Sequence, residues 1–265
     1  MSGTKMRGIA LCADDFGANP AACLAIDDLA ARGAISATSC LVDAPDCRRF
    51  AHTLRAHAPR LALGLHLDLI EFAPEPIRAP LNRWLVRGFL LHNVDSAAVR
   101  AEIGRQLSRF EDLFGSAPEF ADGHCHVHQI PGIREPLLEE LQRRYGRRVA
   151  VRSTRSLRHH NLKGRFIEQL GGRTLHALID RLQLHCNSDF AGAYDLKPDA
   201  GFALLMRHWL RDIADGGLIM CHPEMPASHG APRTARGNEY RFLASPGWRN
   251  LQSQLQVQLR PFLAA

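Results

Sequence analysis

With 265 residues, 46% of them hydrophobic, the chain can bury one large core, which excludes an intrinsically disordered protein. The formal net charge of +6 comes from arginines spread along the whole length. The densest run, Arg143, Arg144, Arg147 and Arg148, reads as a solvated helix end rather than a nucleic-acid footprint, and an anionic substrate stays open.

The first apolar run predicts a strand over 8–13 that leads into Ala13-Asp14-Asp15-Phe16-Gly17, followed by a helix over 20–31 closed by Gly33. Adjacent carboxylates repel, which raises the proton affinity of one unless a cation relieves them. Asp14 and Asp15 therefore suit a division between metal ligand and general base, the plainer alternative being an N-cap for the helix. A second strand over 35–42 runs into Asp43. The third, over 61–67, alternates through Gly64-Leu65-His66-Leu67-Asp68-Leu69 and sets His66 and Asp68 on one face. An inward histidine needs a partner for each nitrogen, and a metal on one with a carboxylate or carbonyl on the other supplies both. Residues 71–93 form a long Pro-rich connection that reads as a lid or substrate wall, with Phe72, Trp84 and Phe89 offering faces for stacking on a pyranose.

A helix over 96–114 precedes a fourth strand over 119–124, which opens into Asp122-Gly-His-Cys-His-Val-His. In an extended strand, Asp122, His124, His126 and His128 share one face; on a helix, His124 and His128 stand one turn apart. Either geometry gathers nitrogen donors, against the bland alternative of separately satisfied histidines. A helix over 133–144 leads to a strand over 148–152, whose terminal Arg152 can clamp a substrate oxygen or orient an aspartate. A weak strand over 187–191 carries Asp189, and a helix over 201–215 is closed by Gly216 and Gly217. The last strand, over 217–221, is stopped by His222-Pro223, a position suited to a general acid.

Strands alternating with helices from end to end predict an α/β fold, a barrel of about seven mostly parallel strands in a single domain over 1–265. Its acids and bases fall at the carboxyl ends of the strands, the face on which parallel barrels build active sites. No GxSxG, P-loop or GxGxxG is present. Seven cysteines, none in a CxxC pair, argue against a disulfide framework; Cys12, Cys40 and Cys221 read as small buried hydrophobes and favour a reducing compartment. No stretch has the length of a membrane span and Met1 to Ile9 lacks a signal-peptide core, so a soluble, cytoplasmic protein is expected. The rival functions are another sugar-directed barrel metalloenzyme, an isomerase or phosphodiesterase, and a non-catalytic nucleic-acid binder resting only on the charge.

Taken as an ordered set, Ala13-Asp14-Asp15-Phe16-Gly17, Gly64-Leu65-His66-Leu67, the Gly-x-x-Pro ending at Pro118, the Asp122–His128 run, Arg152 and Cys221-His222-Pro223 resemble the YdjC-like carbohydrate deacetylases of the ChbG and HpnK type. The resemblance covers nearly the whole chain. It implies a distorted, TIM-like (β/α) barrel, often dimeric, in which one divalent metal ion, magnesium or zinc, serves hydrolysis of an N-acetyl group. The substrate it implies is an N-acetylated amino sugar, chitooligosaccharide or hopanoid-linked, with acetate released. Carried over by position, the metal ligands are His66 and His124 and the essential aspartate is Asp15. By looser analogy with NodB-type enzymes, Asp14 is the base and Asp15 the third ligand, and the exchange of those roles stays open. His222 or His128 then protonates the leaving amine, while His128, Arg152 and Trp84 contact substrate. The chain departs from the common family pattern at Gly123, at Cys125 and at Ala18-Asn19-Pro20, all outside the ligand positions.

Overall fold

The computed structural model describes residues 6–58, 60–158, 162–228 and 233–262. From the N-terminus run β1 (Arg7–Phe16), α1 (Pro20–Ala31), β2 (Ala37–Cys40), α2 (Pro45–Arg55), β3 (Ala62–Leu67), α3 (Leu81–Leu85), α4 (Ser96–Phe114), β4 (Phe120–Gly123) and α5 (Arg134–Tyr145). The second half adds β5 (Ala150–Val151), α6 (Leu162–Ile167), α7 (Arg173–Arg181), β6 (Phe190–Ala191), α8 (Phe202–Asp212), β7 (Leu218–Cys221), α9 (Ala235–Leu243), α10 (Pro246–Gln254) and β8 (Val257–Leu259). The strands are parallel, in the order β5-β4-β3-β2-β1-β7-β6, and curl into a barrel-like sheet surrounded by helices. Among the described residues no helix is long and apolar enough to cross a membrane.

The long β1 is the axis of this sheet. Its Arg7–Ile9 segment pairs with β8, its Ala10–Ala13 segment with β7, and its far half with β2. Helix boundaries follow the caps written in the sequence. Asn19 accepts the Ala22 N–H ahead of Pro20 in α1, and Asp95 accepts two N–H groups of α4, which Gly115 closes in the left-handed region at φ 76°. Both helices coincide with their expected ranges. The clustered arginines Arg143 and Arg144 close on Glu140 at the end of α5, so they finish a helix as expected.

Strand periodicity sorts the side chains into two cores. Leu11, Leu65, Ala121 and Ile219 point outward into the helix-covered core with Ile26, Phe110 and Leu137. Ala10, Cys12, Ala37, Ala62, Phe120, Leu218 and Met220 point inward and form a second cluster with Phe262. Alanines and Cys12 make room there for the larger side chains, Phe120 and Phe262 lying 4.8 Å apart edge to face. Gly64 is required here: a Cβ on it would stand 2.4 Å from the Phe120 ring.

Among the described residues the barrel does not close through a continuous ladder. Between β5 and β6, Val151 donates its N–H to the His185 carbonyl at 2.8 Å. Beyond that point the Asn187 side chain takes the place of a neighbouring strand, accepting from Ser153 N and donating to Ser153 O and Asp189 O, each at 2.8 Å. Asn187→Ala would leave those buried backbone groups unpartnered, and urea unfolding should show a loss of about 1–3 kcal/mol. A loss below about 0.5 kcal/mol would mean that the seam does not depend on this amide.

Candidate active site

Counting inward positions up each strand ends at the mouth. Ala10 and Cys12 lead to Asp14, Ala62 and Gly64 to His66, Phe120 to Asp122, Ala150 to Arg152, and Leu218 and Met220 to His222. His66 and Asp122 are direct register partners across β3 and β4. Asp15 should face away from Asp14, yet both line one cavity. A register irregularity between Ala13 and Phe16 and a left-handed φ of 68° at Asp15 turn the second carboxylate to the same opening. Neither acid caps α1; Asn19 does.

The Asp122–His128 run is neither a straight strand nor a regular helix. Strand β4 stops at Gly123, where a Cβ would lie 2.9 Å from the His128 N, and residues 124–129 form a tight turn. Cys125 and His126 both take left-handed backbone, at φ 50° and 59°. The four residues are thereby dispersed. His124 swings to Asp15, Asp122 stays under His66, His126 lines the cavity, and His128 is buried with its Nε2 3.1 Å from the Arg152 carbonyl oxygen.

Asp15, His66 and His124 form the cluster suited to a cation, with one donor atom from each lying within 4.8 Å of the others. The Asp15 Oδ1 is 3.2 Å from His124 Nδ1 and 3.5 Å from His66 Nε2. The second nitrogen of His66 is already committed, since Nδ1 lies 2.6 Å from Asp122 Oδ1. A carboxylate fixing one imidazole nitrogen leaves the other aimed, which is how histidine ligands are held. The donor set of one oxygen and two nitrogens, open on the cavity side, fits a divalent cation that keeps a coordination position for another molecule.

Charge points the same way. Asp14, Asp15 and Asp122 face two guanidinium groups, those of Arg152 and Arg236. Arg152 binds both oxygens of Asp14 at 2.6 Å and reaches Asp122 Oδ2 at 2.6 Å, while Arg236 meets Asp15 Oδ2 at 3.0 Å. Burial alone would raise Asp14, but Arg152 overrides it and holds this carboxyl well below the usual range. Burial would lower both imidazoles, yet the carboxylates reverse it, Asp122 chiefly for His66, pushed up to about 9, and Asp15 for His124, pushed up to about 11. The carboxylates thus favour positive charge on both imidazoles, at the place where a cation would relieve the same negative charge. The neighbouring Cys12, Asp14 and Asp122 are also close together, but the Arg152 guanidinium fills that position.

The cavity has a volume of about 350 Å³. Its floor is the polar cluster with His222, and its walls include Leu81, Leu85, Ile130, Phe166 and Tyr194. His222 Nε2 stands 3.9 Å from Asp14 Oδ2, and burial pushes the imidazole below its ordinary pKa.

Three residues expected to contact substrate lie outside the cavity lining. Trp84 is 1% exposed, donates its indole N–H to the Leu69 carbonyl and packs in the core, while Leu81 and Leu85 of the same short helix line the cavity. Arg152 and His128 are fully buried, and the arginine's terminal nitrogens are taken up by Asp14 and Asp122. Some strand-end acids are structural as well: Asp43 pairs with Arg105 and Arg109, Asp68 accepts N–H groups of the 70–73 turn, and Asp189 accepts from Leu157, Phe190 and Ala214. Sequence reasoning missed Arg236 and Glu239 on α9, a helix it did not assign. The Thr234 cap, which accepts from the Gly237 N–H, was its one local signal.

The sequence model of the YdjC-like protein family matches residues 8–254. Human carbohydrate deacetylase is 37% identical over 155 residues, which are 54% of this chain and 47% of that protein, so the aligned region spans about half of that relative. Chitooligosaccharide deacetylase of Yersinia pestis is 27% identical over 264 residues, covering 95% of this chain and 96% of its own. Among solved structures, an Enterococcus faecalis protein described as a candidate cellobiose-phosphate cleavage protein superposes with a TM-score of 0.68 at 19% identity, over 97% of this chain and 98% of its own. A family 4 acetyl xylan esterase of Clostridium thermocellum, in complex with a cobalt ion, gives 0.52 at 12% identity over 96% and 88%. These two likenesses speak for the fold.

Arg152→Met would leave the Asp14 and Asp122 carboxylates buried without a counter-charge, and urea unfolding at pH 7 should show a loss of about 3–5 kcal/mol. Asp14 is depressed in the folded protein, so the stability it contributes is present above the unfolded carboxylate pKa and is lost as pH falls through the folded one. In the variant Asp14 takes up its proton at higher pH, and the gap to the parent protein should narrow between pH 7 and pH 5. A gap independent of pH would assign the loss to packing.

Proposed function

The chain belongs to the YdjC-like family, and from that membership together with the Asp15–His66–His124 cluster we propose that it is a metal-dependent hydrolase removing the N-acetyl group from an amino sugar, free or within an oligosaccharide or glycoconjugate. The observation that carries the reading is the placement of an oxygen and two nitrogen donors beside an ionised Asp14 and a cavity-facing His222. The names of the human and Yersinia relatives support the substrate class.

Asp15, His66 and His124 would hold the cation, zinc or magnesium. Bound there, such an ion supplies Lewis acidity, polarising an amide carbonyl and making water more acidic. The remaining work falls to the chain. Asp14, kept ionised and immobile by Arg152, accepts a proton from the attacking water. His222, neutral at rest and 3.9 Å from Asp14, passes that proton to the nitrogen as the C–N bond breaks. Water adds to the carbonyl carbon and the products are acetate and a free amine. Asp122 keeps His66 in one tautomer throughout, and the aliphatic walls exclude bulk water from the floor. On this assignment Asp14 is the base and Asp15 the ligand, because Arg152 occupies both oxygens of the first and the imidazoles gather around the second.

Acetate release from N-acetylglucosamine and a series of chitooligosaccharides, with and without chelator, tests the proposal directly. Activity that chelator abolishes and added zinc or magnesium restores is expected. His66→Ala and His124→Ala should each lose bound metal and fall by at least about a thousandfold with circular dichroism unchanged. Full turnover in either variant would remove the metal assignment.

A further inference from the structure

We infer that Glu239 is a positioning residue for His222, its carboxylate fixing the backbone from which the proton donor projects; this rests on the role given to His222 above. Glu239 lies on α9 and is 0% exposed. One oxygen accepts the backbone N–H of His222, and the other accepts the Tyr194 hydroxyl at 2.6 Å. A single side chain thereby ties α9 to the end of β7 and to the segment after β6.

The imidazole of His222 has no comparable tether of its own. Its Nδ1 is buried and makes no hydrogen bond among the described residues, and Nε2 has only the 3.9 Å approach to Asp14. Ring placement therefore depends on where the backbone is held, and Pro223 immediately beyond has no N–H with which to share that task. Two oxygens without a proton are what the site demands, since a backbone N–H and a phenol O–H arrive as donors from different elements. Burial charges a cost for that choice and pushes the Glu239 carboxyl up to about 7. Three residues earlier on the same helix, Arg236 grips Asp15 and Glu224, so α9 secures the ligand side and the donor side of the cavity together.

The test compares metal-loaded Glu239→Gln, Tyr194→Phe, His222→Ala and the Glu239→Gln/His222→Ala double variant on two substrates. One is an N-acetylated amino sugar, whose amine must be protonated to leave; the other is 4-nitrophenyl acetate, whose leaving group departs unprotonated. Glu239→Gln should lower kcat on the amide by about ten- to a hundredfold, with KM and metal content within about twofold and a far smaller loss on the ester. Tyr194→Phe, which leaves the carboxylate in place, should show a smaller loss with the same selectivity and serves if the Gln variant does not fold. The double variant should be no slower than His222→Ala alone, because the two act as one unit. Equal losses on both substrates in Glu239→Gln or Tyr194→Phe, beside a selective His222→Ala, would overturn the positioning role and leave the deacetylase reading standing. An unselective His222→Ala would remove the donor role, and with it this inference, while metal dependence would stand apart.

Discussion

The site depends on one buried guanidinium. Arg152 lies inside the barrel mouth with Asp14 on both of its terminal nitrogens and Asp122 on one of them. It fixes the Asp14 carboxylate directly, and through Asp122 it fixes the orientation of His66. The guanidinium also sets the electrostatic balance. With a single fixed positive charge set between two carboxylates, and Arg236 facing the third, the floor stays one charge short of neutrality. That surplus of negative charge is why the neighbouring carboxylates raise the His66 and His124 imidazoles against their burial.

The period of a β-strand explains why so simple a chain builds so crowded a site. Each strand alternates between helix-covered core and barrel interior, and the interior residues stay apolar until the last turn outward, where they become acid, histidine or arginine. Stability is concentrated low in the barrel, around Phe120 and Phe262, and chemistry is placed one layer above it. The exceptions carry information. Asp15 reaches the mouth only through a bulge and left-handed backbone, and Cys125 with His126 repeats that conformation opposite, so both sides of the cation cluster are built from strained chain.

How legible this was in the sequence follows the range of the forces involved. The parallel strands, helices α1 and α4, and the strand-end positions of Asp14, His66, Arg152 and His222 are set by local periodicity and capping, and they were readable. The dispersal of His124, His126 and His128 was not, because it depends on the close approach of Gly123 to His128, a contact that no repeat encodes. The burial of Trp84 was hidden for a related reason. An indole is equally suited to stacking on a sugar or filling a core, and only the Leu69 carbonyl decides between them. Helix α9 escaped because its weak amphipathic pattern gives little sign of itself, although it supplies both Arg236 and Glu239.

The seam at Asn187 has a consequence for how the molecule moves. A ladder of backbone bonds would lock the circumference of the mouth, whereas here the Val151–His185 backbone bond and the Asn187 amide join its two edges. Opening there disturbs few hydrogen bonds, while opening between β1 and its neighbours would break the axis of the sheet. The least bonded part of the ring thus lies away from β1, on the side where Phe166 and Tyr194 border the cavity, while the aspartates and histidines of the floor stand on the well-bonded strands.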